Sequence, residues 1–438
     1  MKTRLAGRSC RAVVGRERTG QRWVGFGRDR AESRVAGRAD SRVYGPLVSA
    51  TIDFDGITAA SLADAGHLKW TLYGPGRLGA FVAEMDYGCA PAIKAAIHGA
   101  VDRELLGYPP PAAVAAMRTA CASWQAEVHG WDVAPDDVHP IPGVVEGLEI
   151  AVQHCSRPGS PVIVPVPAYT PFLGGPVHLG REVIQIEMVR DAGRYVFDLD
   201  ALDRAYRDGG DLLIMCNPHN PLGRVMERAE MEQIATVVAR HGGRVFSDEV
   251  HAPLVFAGHR HVPYASTSPT AAEHTVTATS ASKGWNLTGM KCAQLILSND
   301  ADRERMAALG PFATHGASTL GVVANTVAFD EGRAWLNEVL DYLDGNRHLL
   351  DDLLAERLPG VRHTKPEGTY LAWLDCRGLG LPRAPSEFFA EQASVVMVDG
   401  SQCGEVGAGF VRLNFATTRA LLTQMVTQLA DAVARYNA

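Results

Sequence analysis

The chain has 438 residues, 46% of them hydrophobic, and a net charge of −7, enough material for large buried cores in more than one lobe. Its longest apolar runs, such as Leu212 to Cys216 and Ala293 to Leu297, fall far short of the ~20 residues that a bilayer span requires, so no membrane span is expected. Eight cysteines, at 10, 89, 121, 155, 216, 292, 376 and 403, form no Cys-x-x-Cys pair and no metal-like spacing with histidine; this argues against a metal site and for a reducing, cytoplasmic setting.

Residues 1 to 45 carry twelve basic side chains against four acidic ones, a local +8 that leaves −15 for the remainder. The acidic body argues against nucleic acid as the substrate. The head has neither an apolar h-region nor a helical stripe, so residues 1–48 read as a basic, disordered extension or an over-long start of the reading frame.

From Leu62 onward the composition is that of a folded domain. Strands are predicted at 161–166, 183–186, 212–216, 243–246, 275–279 and 294–297, with helices between several of them. Between Arg224 and Arg244, Met231, Ile234 and Val238 recur at spacings of three and four and give one apolar face. Alternating strands and helices imply an α/β fold with a mainly parallel sheet, whose ligands collect beyond the carboxyl ends of the strands. After about Ala328 the pattern changes to a long helix, Trp335 to Arg357, with Leu336, Val339, Leu340, Leu343, Arg347 and Leu350 near one face. Short strands around 370–374 and 410–415 follow and suggest a smaller α+β lobe.

Three strand ends carry chemistry. Val276-Thr-Ala-Thr-Ser-Ala-Ser-Lys283 runs from an apolar strand into Ser280, Ser282 and a single lysine. Arg244-Val-Phe-Ser-Asp-Glu-Val-His251 places Asp248 at the end of a buried strand, where an unpaired carboxylate is costly. Cys216-Asn-Pro-His-Asn-Pro-Leu-Gly-Arg224 offers amides at Asn217 and Asn220 in a turn fixed by prolines and a glycine, with Asn220 the preferred donor. An amine, a carboxylate and an amide together suit pyridoxal phosphate: a Schiff-base lysine for its aldehyde, an anion for its pyridinium nitrogen and a donor for its phenolic oxygen. A phosphate can be met by the backbone N–H groups of Val144 and Val145, where Gly143-Val-Val-Glu-Gly147 opens a helix, and by Ser280, Ser282 and Lys291. Tyr169 follows a strand and can lay its ring against the pyridine, although an aromatic in that place also reads as core.

On these residues the chain resembles the fold-type I pyridoxal-phosphate enzymes of the class I/II aminotransferase superfamily. Within them it is similar to the MalY/PatB-type cystathionine β-lyases. The closer likeness rests on Lys69-Trp70, Phe81-Val-Ala-Glu-Met-Asp-Tyr87, Gly107-Tyr-Pro109, the 216–223 turn, Asp248-Glu-Val-His251, Ser280-Ala-Ser-Lys283 and Arg412-Leu-Asn-Phe-Ala416, and it covers nearly everything from about residue 50 onward. The resemblance implies a seven-stranded sheet between helices in a large domain, 95–328, and a small domain built from 49–94 and 329–438. It implies that Lys283 bonds the cofactor, with Asp248, Asn220 and Tyr169 at its ring, His251 near the phenolic oxygen and Arg412 on the substrate α-carboxylate. Tyr108 is then the tyrosine that reaches a neighbouring subunit's cofactor phosphate, which implies a homodimer.

Three positions depart from the common pattern: Lys291 stands where many aminotransferases have arginine, His251 where they have tyrosine, and Glu84 where aspartate is commoner. The expected reaction is α,β-elimination from L-cystathionine or a related L-cysteine S-conjugate, giving a thiol, pyruvate and ammonia. An aminotransferase using the same residues is the alternative. A pyridoxal-phosphate protein with an added regulatory binding role is a second one, without a recognisable DNA-binding module to support it.

Overall fold

The computed structural model describes residues 52–438, so the basic head at 1–48 lies outside it. A seven-stranded sheet organises the centre. Its strands are β1 (Val138–Ile141), β2 (Val162–Val166), β3 (Val183–Glu187), β4 (Leu212–Cys216), β5 (Arg244–Asp248), β6 (Thr275–Thr279) and β7 (Ala293–Leu297), in the order β1-β7-β6-β5-β4-β2-β3. Strands β2 to β6 pair in parallel, whereas β7 is antiparallel to both β6 and β1. Two reversals return β1 to the direction of the parallel set, so its carboxyl end shares an edge of the sheet with theirs.

Side chains along these strands alternate between two cores, as the pleat requires. Ile163, Leu213, Met215 and Val245 pack on one face with Met231, Ile234 and Val238 of the helix Arg228–Arg240. Val162, Val164, Leu212, Ile214, Phe246 and Ala278 pack on the other with Leu148, Ala151 and Val152 of helix α1 (Val144–His154). Burial on both faces explains why β2, β4, β6 and β7 are apolar or neutral throughout, with every residue buried.

A third core gathers the C-terminal elements with the N-terminal segment. A four-stranded antiparallel sheet includes Leu371–Asp375 next to Phe410–Asn414. The helix Arg333–Arg357 buries Leu336, Val339, Leu343 and Leu350, joined there by Leu62 and Trp70. Arg347 sits on that buried stripe because its guanidinium lies 4.6 Å over the Phe256 ring and donates to the Pro366 carbonyl at 2.9 Å. No helix among the described residues is long and apolar enough to cross a membrane.

Buried Lys69 and Trp70 tie the N-terminal segment to the chain that borders the site. Lys69 Nζ donates to Asp86 Oδ2 at 3.0 Å and to the Ala416 carbonyl at 3.3 Å, and Trp70 Nε1 donates to Asp86 Oδ1 at 2.9 Å. Both charged side chains are at most 3% exposed. Asp86→Ala should therefore cost about 3–5 kcal/mol, because it strands a buried ammonium. Urea unfolding measures this, and a double variant Lys69→Met, Asp86→Leu should recover most of the loss. Equal destabilisation of the single and double variants would show that the pair is not the source.

Candidate active site

Parallel pairing puts Cys216 and Asp248 level with each other and Asp248 level with Ala278, so the three polar segments leave the sheet along one edge. Into the space beyond them opens a cavity of about 580 Å³ lined by Asn220, Asp248, His251, Ser280, Ser282, Lys283 and Arg412, with Val144, Val145, Tyr169 and Lys291 on its walls. Of the candidate site residues only Tyr108 lies elsewhere. It is 91% exposed, beside the exposed Leu106, in a separate groove.

Asp248 is 4% exposed. Its Oδ1 accepts the Val250 N–H at 3.0 Å, and it makes no ion pair among the described residues. Burial therefore pushes its carboxyl up to about 7, against the opposing pull of the Val250 N–H and Lys283. Next to it, Glu249 is fully engaged. Its carboxylate accepts Ser247 Oγ–H at 2.8 Å and the Tyr264 N–H at 2.9 Å, and pairs with His261 Nε2 at 3.0 Å. That network anchors the end of β5, so the orientation of Asp248 is set from behind.

Lys283 is half-buried in the one-turn helix Ala281–Gly284, and its Nζ donates to the Ala83 carbonyl at 2.9 Å. Burial lowers the amine to about 8, with Glu84 the principal opposing influence. Arg412, 6% exposed, has no carboxylate partner among the described residues. Its Nη1 donates to Asn220 Oδ1 at 2.9 Å and its Nη2 to the Phe81 carbonyl at 2.8 Å, while Nε has no partner among the described residues. Burial pulls it below its ordinary value. A buried guanidinium without an acid is a ready receptor for a ligand carboxylate.

The amides separate cleanly. Asn217 is wholly buried and its Oδ1 accepts the Met226 N–H at 3.0 Å, which makes it a brace of the loop. Asn220 faces the cavity, and with its Oδ1 on Arg412 its Nδ2 is left as a donor. The serines separate too. Ser280 Oγ donates to the Cys292 carbonyl at 2.8 Å and accepts the Ser282 N–H at 3.0 Å, so its hydroxyl shapes the turn and only Ser282 keeps a free hydroxyl toward the cavity. His251 is 2% exposed, its Nδ1 has no partner among the described residues, and burial holds it far below its usual value, hence neutral. Lys291 stands at the mouth, 3.9 Å from Glu146 Oε1 with its side chain 65% exposed. The first turn of α1 supplies N–H groups with no intrahelical partner at Val144 and Val145.

Sequence reasoning passed over Phe81 to Glu84 as functional groups, although their motif carried part of the resemblance. All four carbonyls accept from side chains: Phe81 from Arg412, Val82 and Glu84 from Asn414 Nδ2, and Ala83 from both Lys283 and Tyr370. Residue identity cannot announce a role played by backbone oxygens. The donor set nevertheless fits pyridoxal phosphate: an uncompensated buried acid, a depressed amine, a free amide N–H and a helix N-terminus border one cavity.

An α/β sheet of this topology with a lysine and an aspartate at its carboxyl edge, faced across the cavity by an arginine from the antiparallel sheet, defines a class, and the comparisons name it. The chain belongs to the aminotransferase class I and II family, whose model matches residues 82–429. It is 39% identical over 369 residues to the cystathionine β-lyase of Corynebacterium glutamicum, covering 83% of this chain and 96% of that one. It is 32% identical over 356 residues to the cystathionine β-lyase PatB of Bacillus subtilis, covering 81% and 92%. Among solved structures, a putative pyridoxal-phosphate-dependent β-cystathionase from Corynebacterium diphtheriae superposes with a TM-score of 0.82 at 40% identity, covering 86% of this chain and 98% of that one.

Proposed function

We propose that this chain is a pyridoxal-phosphate-dependent carbon–sulfur lyase that cleaves L-cystathionine or related L-cysteine S-conjugates to a thiol, pyruvate and ammonia. One observation carries the reading: a depressed lysine amine, an acid without a cation and a buried arginine without an acid, as counted among the described residues, converge on a single cavity. The names of the relatives at 39% and 32% identity select the elimination among the reactions such a site can run.

When bound, pyridoxal phosphate supplies an aldehyde that captures the substrate amine and a conjugated pyridinium that stores the electron pair left at Cα. The chain does the rest. Asp248 would pair with the ring nitrogen as an anion and so would hold a proton on it. Asn220 Nδ2 would donate to the phenolic oxygen, Tyr169 and His251 would border the ring, and Val144 N–H, Val145 N–H, Ser282 and Lys291 would hold the phosphate, with Ser280 shaping their turn. Arg412 grips the α-carboxylate through its fork of donors, which orients the Cα–H bond. Lys283 Nζ, largely neutral above about 8, removes the Cα proton, and the Cβ–S bond then breaks with its electron pair leaving on sulfur.

A homodimer belongs to this reading. What supports it is that Tyr108 lies outside the cavity of its own chain and is 91% exposed beside Leu106 at 64%, with Phe312 at 84% another uncovered apolar side chain. The division into a large domain, 95–328, and a small one from 49–94 and 329–438 is proposed with it.

Incubation with a panel of S-substituted L-cysteines, cystathionine included, should release pyruvate and free thiol in equal amounts. Transfer of the amino group to an added keto acid, with no thiol formed, would overturn the lyase reading in favour of an aminotransferase.

A further inference from the structure

We infer that Tyr370 is a positioning residue for Lys283, acting through the Ala83 carbonyl that both side chains share. The inference rests on the reading of Lys283 as the residue that bonds the cofactor. Tyr370 is 1% exposed, and its Oη donates to the Ala83 oxygen at 2.9 Å, the same oxygen that accepts Lys283 Nζ at 2.9 Å. A carbonyl oxygen has two lone-pair directions. With the tyrosine hydroxyl on one of them, a single direction remains for the amine.

The peptide run that carries that oxygen is tied down on both sides. On either side of it the Val82 and Glu84 carbonyls accept Asn414 Nδ2 at 2.6 and 2.7 Å. Farther along, Asn286 accepts the Met85 N–H at 2.9 Å and donates to the Met85 and Gly88 carbonyls at 2.9 and 3.1 Å. Tyr370 is equally fixed, since its carbonyl accepts the Phe415 N–H at 2.9 Å and its ring stands edge-on to His251 at 6.0 Å.

A neutral amine has two N–H bonds and one lone pair. Donation of one N–H to a fixed acceptor restricts the torsions of the lysine stem and limits where the lone pair can point. The hydroxyl of Tyr370 thus aims the nucleophilic and basic face of Lys283 without touching substrate or cofactor. A phenol buried only for packing needs some acceptor, but it has no need of the oxygen already taken by the lysine.

The test is Tyr370→Phe, which keeps the ring and removes the hydroxyl. Apoprotein of the full chain is mixed with pyridoxal phosphate, and the growth of visible absorbance reports formation of the C=N bond between Nζ and the aldehyde carbon with release of water. Capture should slow roughly tenfold to a hundredfold, the scale of a misaimed reacting group. The Kd for pyridoxine 5′-phosphate, which has no aldehyde, should match wild type, and in turnover kcat should fall while KM for the S-substituted cysteine holds.

Capture at the wild-type rate would overturn the inference. So would a parallel loss of capture and of pyridoxine 5′-phosphate binding, which is the signature of a merely structural tyrosine. Lys283→Ala run alongside separates the two readings: if it captures the cofactor like wild type, the assignment of Lys283 fails first.

Discussion

Replacing Lys283 with alanine is expected to abolish the visible absorbance of the bound cofactor and to lower turnover by at least about four powers of ten, since one side chain provides both the covalent anchor and the proton acceptor. The two losses have separate origins. Absorbance depends on the C=N bond, which no other amine lining the cavity among the described residues is placed to supply: Lys291 is the other lysine on its walls, and it stands at the mouth, turned toward Glu146. Turnover depends on a base of suitable strength. Burial lowers the Lys283 amine to about 8, so near neutral pH an appreciable fraction is unprotonated once it is free, whereas an exposed lysine at about 10.4 is almost wholly charged. Noncovalent affinity for the cofactor should persist in the variant through Asp248, Asn220 and the phosphate donors. Full activity in Lys283→Ala would remove the basis of the proposed function.

Asp248→Asn should lower kcat by about two to four powers of ten and, in the same stroke, make the apoprotein more stable at neutral pH. Without the carboxylate nothing keeps a proton on the ring nitrogen, and the electron pair released at Cα has no cationic sink. The stability effect follows from the carboxyl being raised to about 7 by burial. Between the unfolded value near ~3.9 and about 7, the native apoprotein holds a proton that the unfolded chain has released. Its contribution is therefore complete below about 4 and is lost as pH rises through 7, by up to about 4 kcal/mol at 1.36 kcal/mol per pKa unit. Asparagine carries no such charge, so the variant's apoprotein should show a flatter profile between pH 4 and 7. Urea unfolding of both apoproteins at pH 5 and pH 8 tests the sign, and a wild-type apoprotein that gains stability over that interval relative to the variant would refute it.

Much of this site could be read from the chain because parallel sheets write their active edges into sequence. Leu212–Cys216 and Thr275–Thr279 are strands of five buried residues ending where polar side chains begin, and burial on both faces makes that transition abrupt. The helix Arg333–Arg357 showed its apolar stripe for the same reason, its length permitting many repeats. Less legible was β1, whose Val138-His-Pro-Ile141 contains a proline that reads as a break. It is tolerated because β1 lies at the sheet edge and pairs with β7 alone.

Within the site, asparagine and serine could be proposed as donors but not sorted. Whether Asn217 or Asn220, Ser280 or Ser282, turns toward the cavity depends on partners such as the Met226 N–H and the Cys292 carbonyl, which are distant or ambiguous in sequence. Tyr370 gave no signal as a partner of Lys283, because the contact between them passes through an alanine oxygen.

The run from Phe81 to Glu84 is gripped at all four of its peptide oxygens, and of its side chains Phe81 packs edge-on against Tyr73 at 5.0 Å. Substitutions at Phe81 and Val82, both on the cavity wall, can therefore reshape the room for whatever group sulfur carries while the proton-transfer apparatus keeps its alignment. A one-residue insertion there would do the reverse, shifting every oxygen off its donor at once. Divergence in substrate choice should accordingly proceed by exchange at these two positions, with the length of the segment held constant.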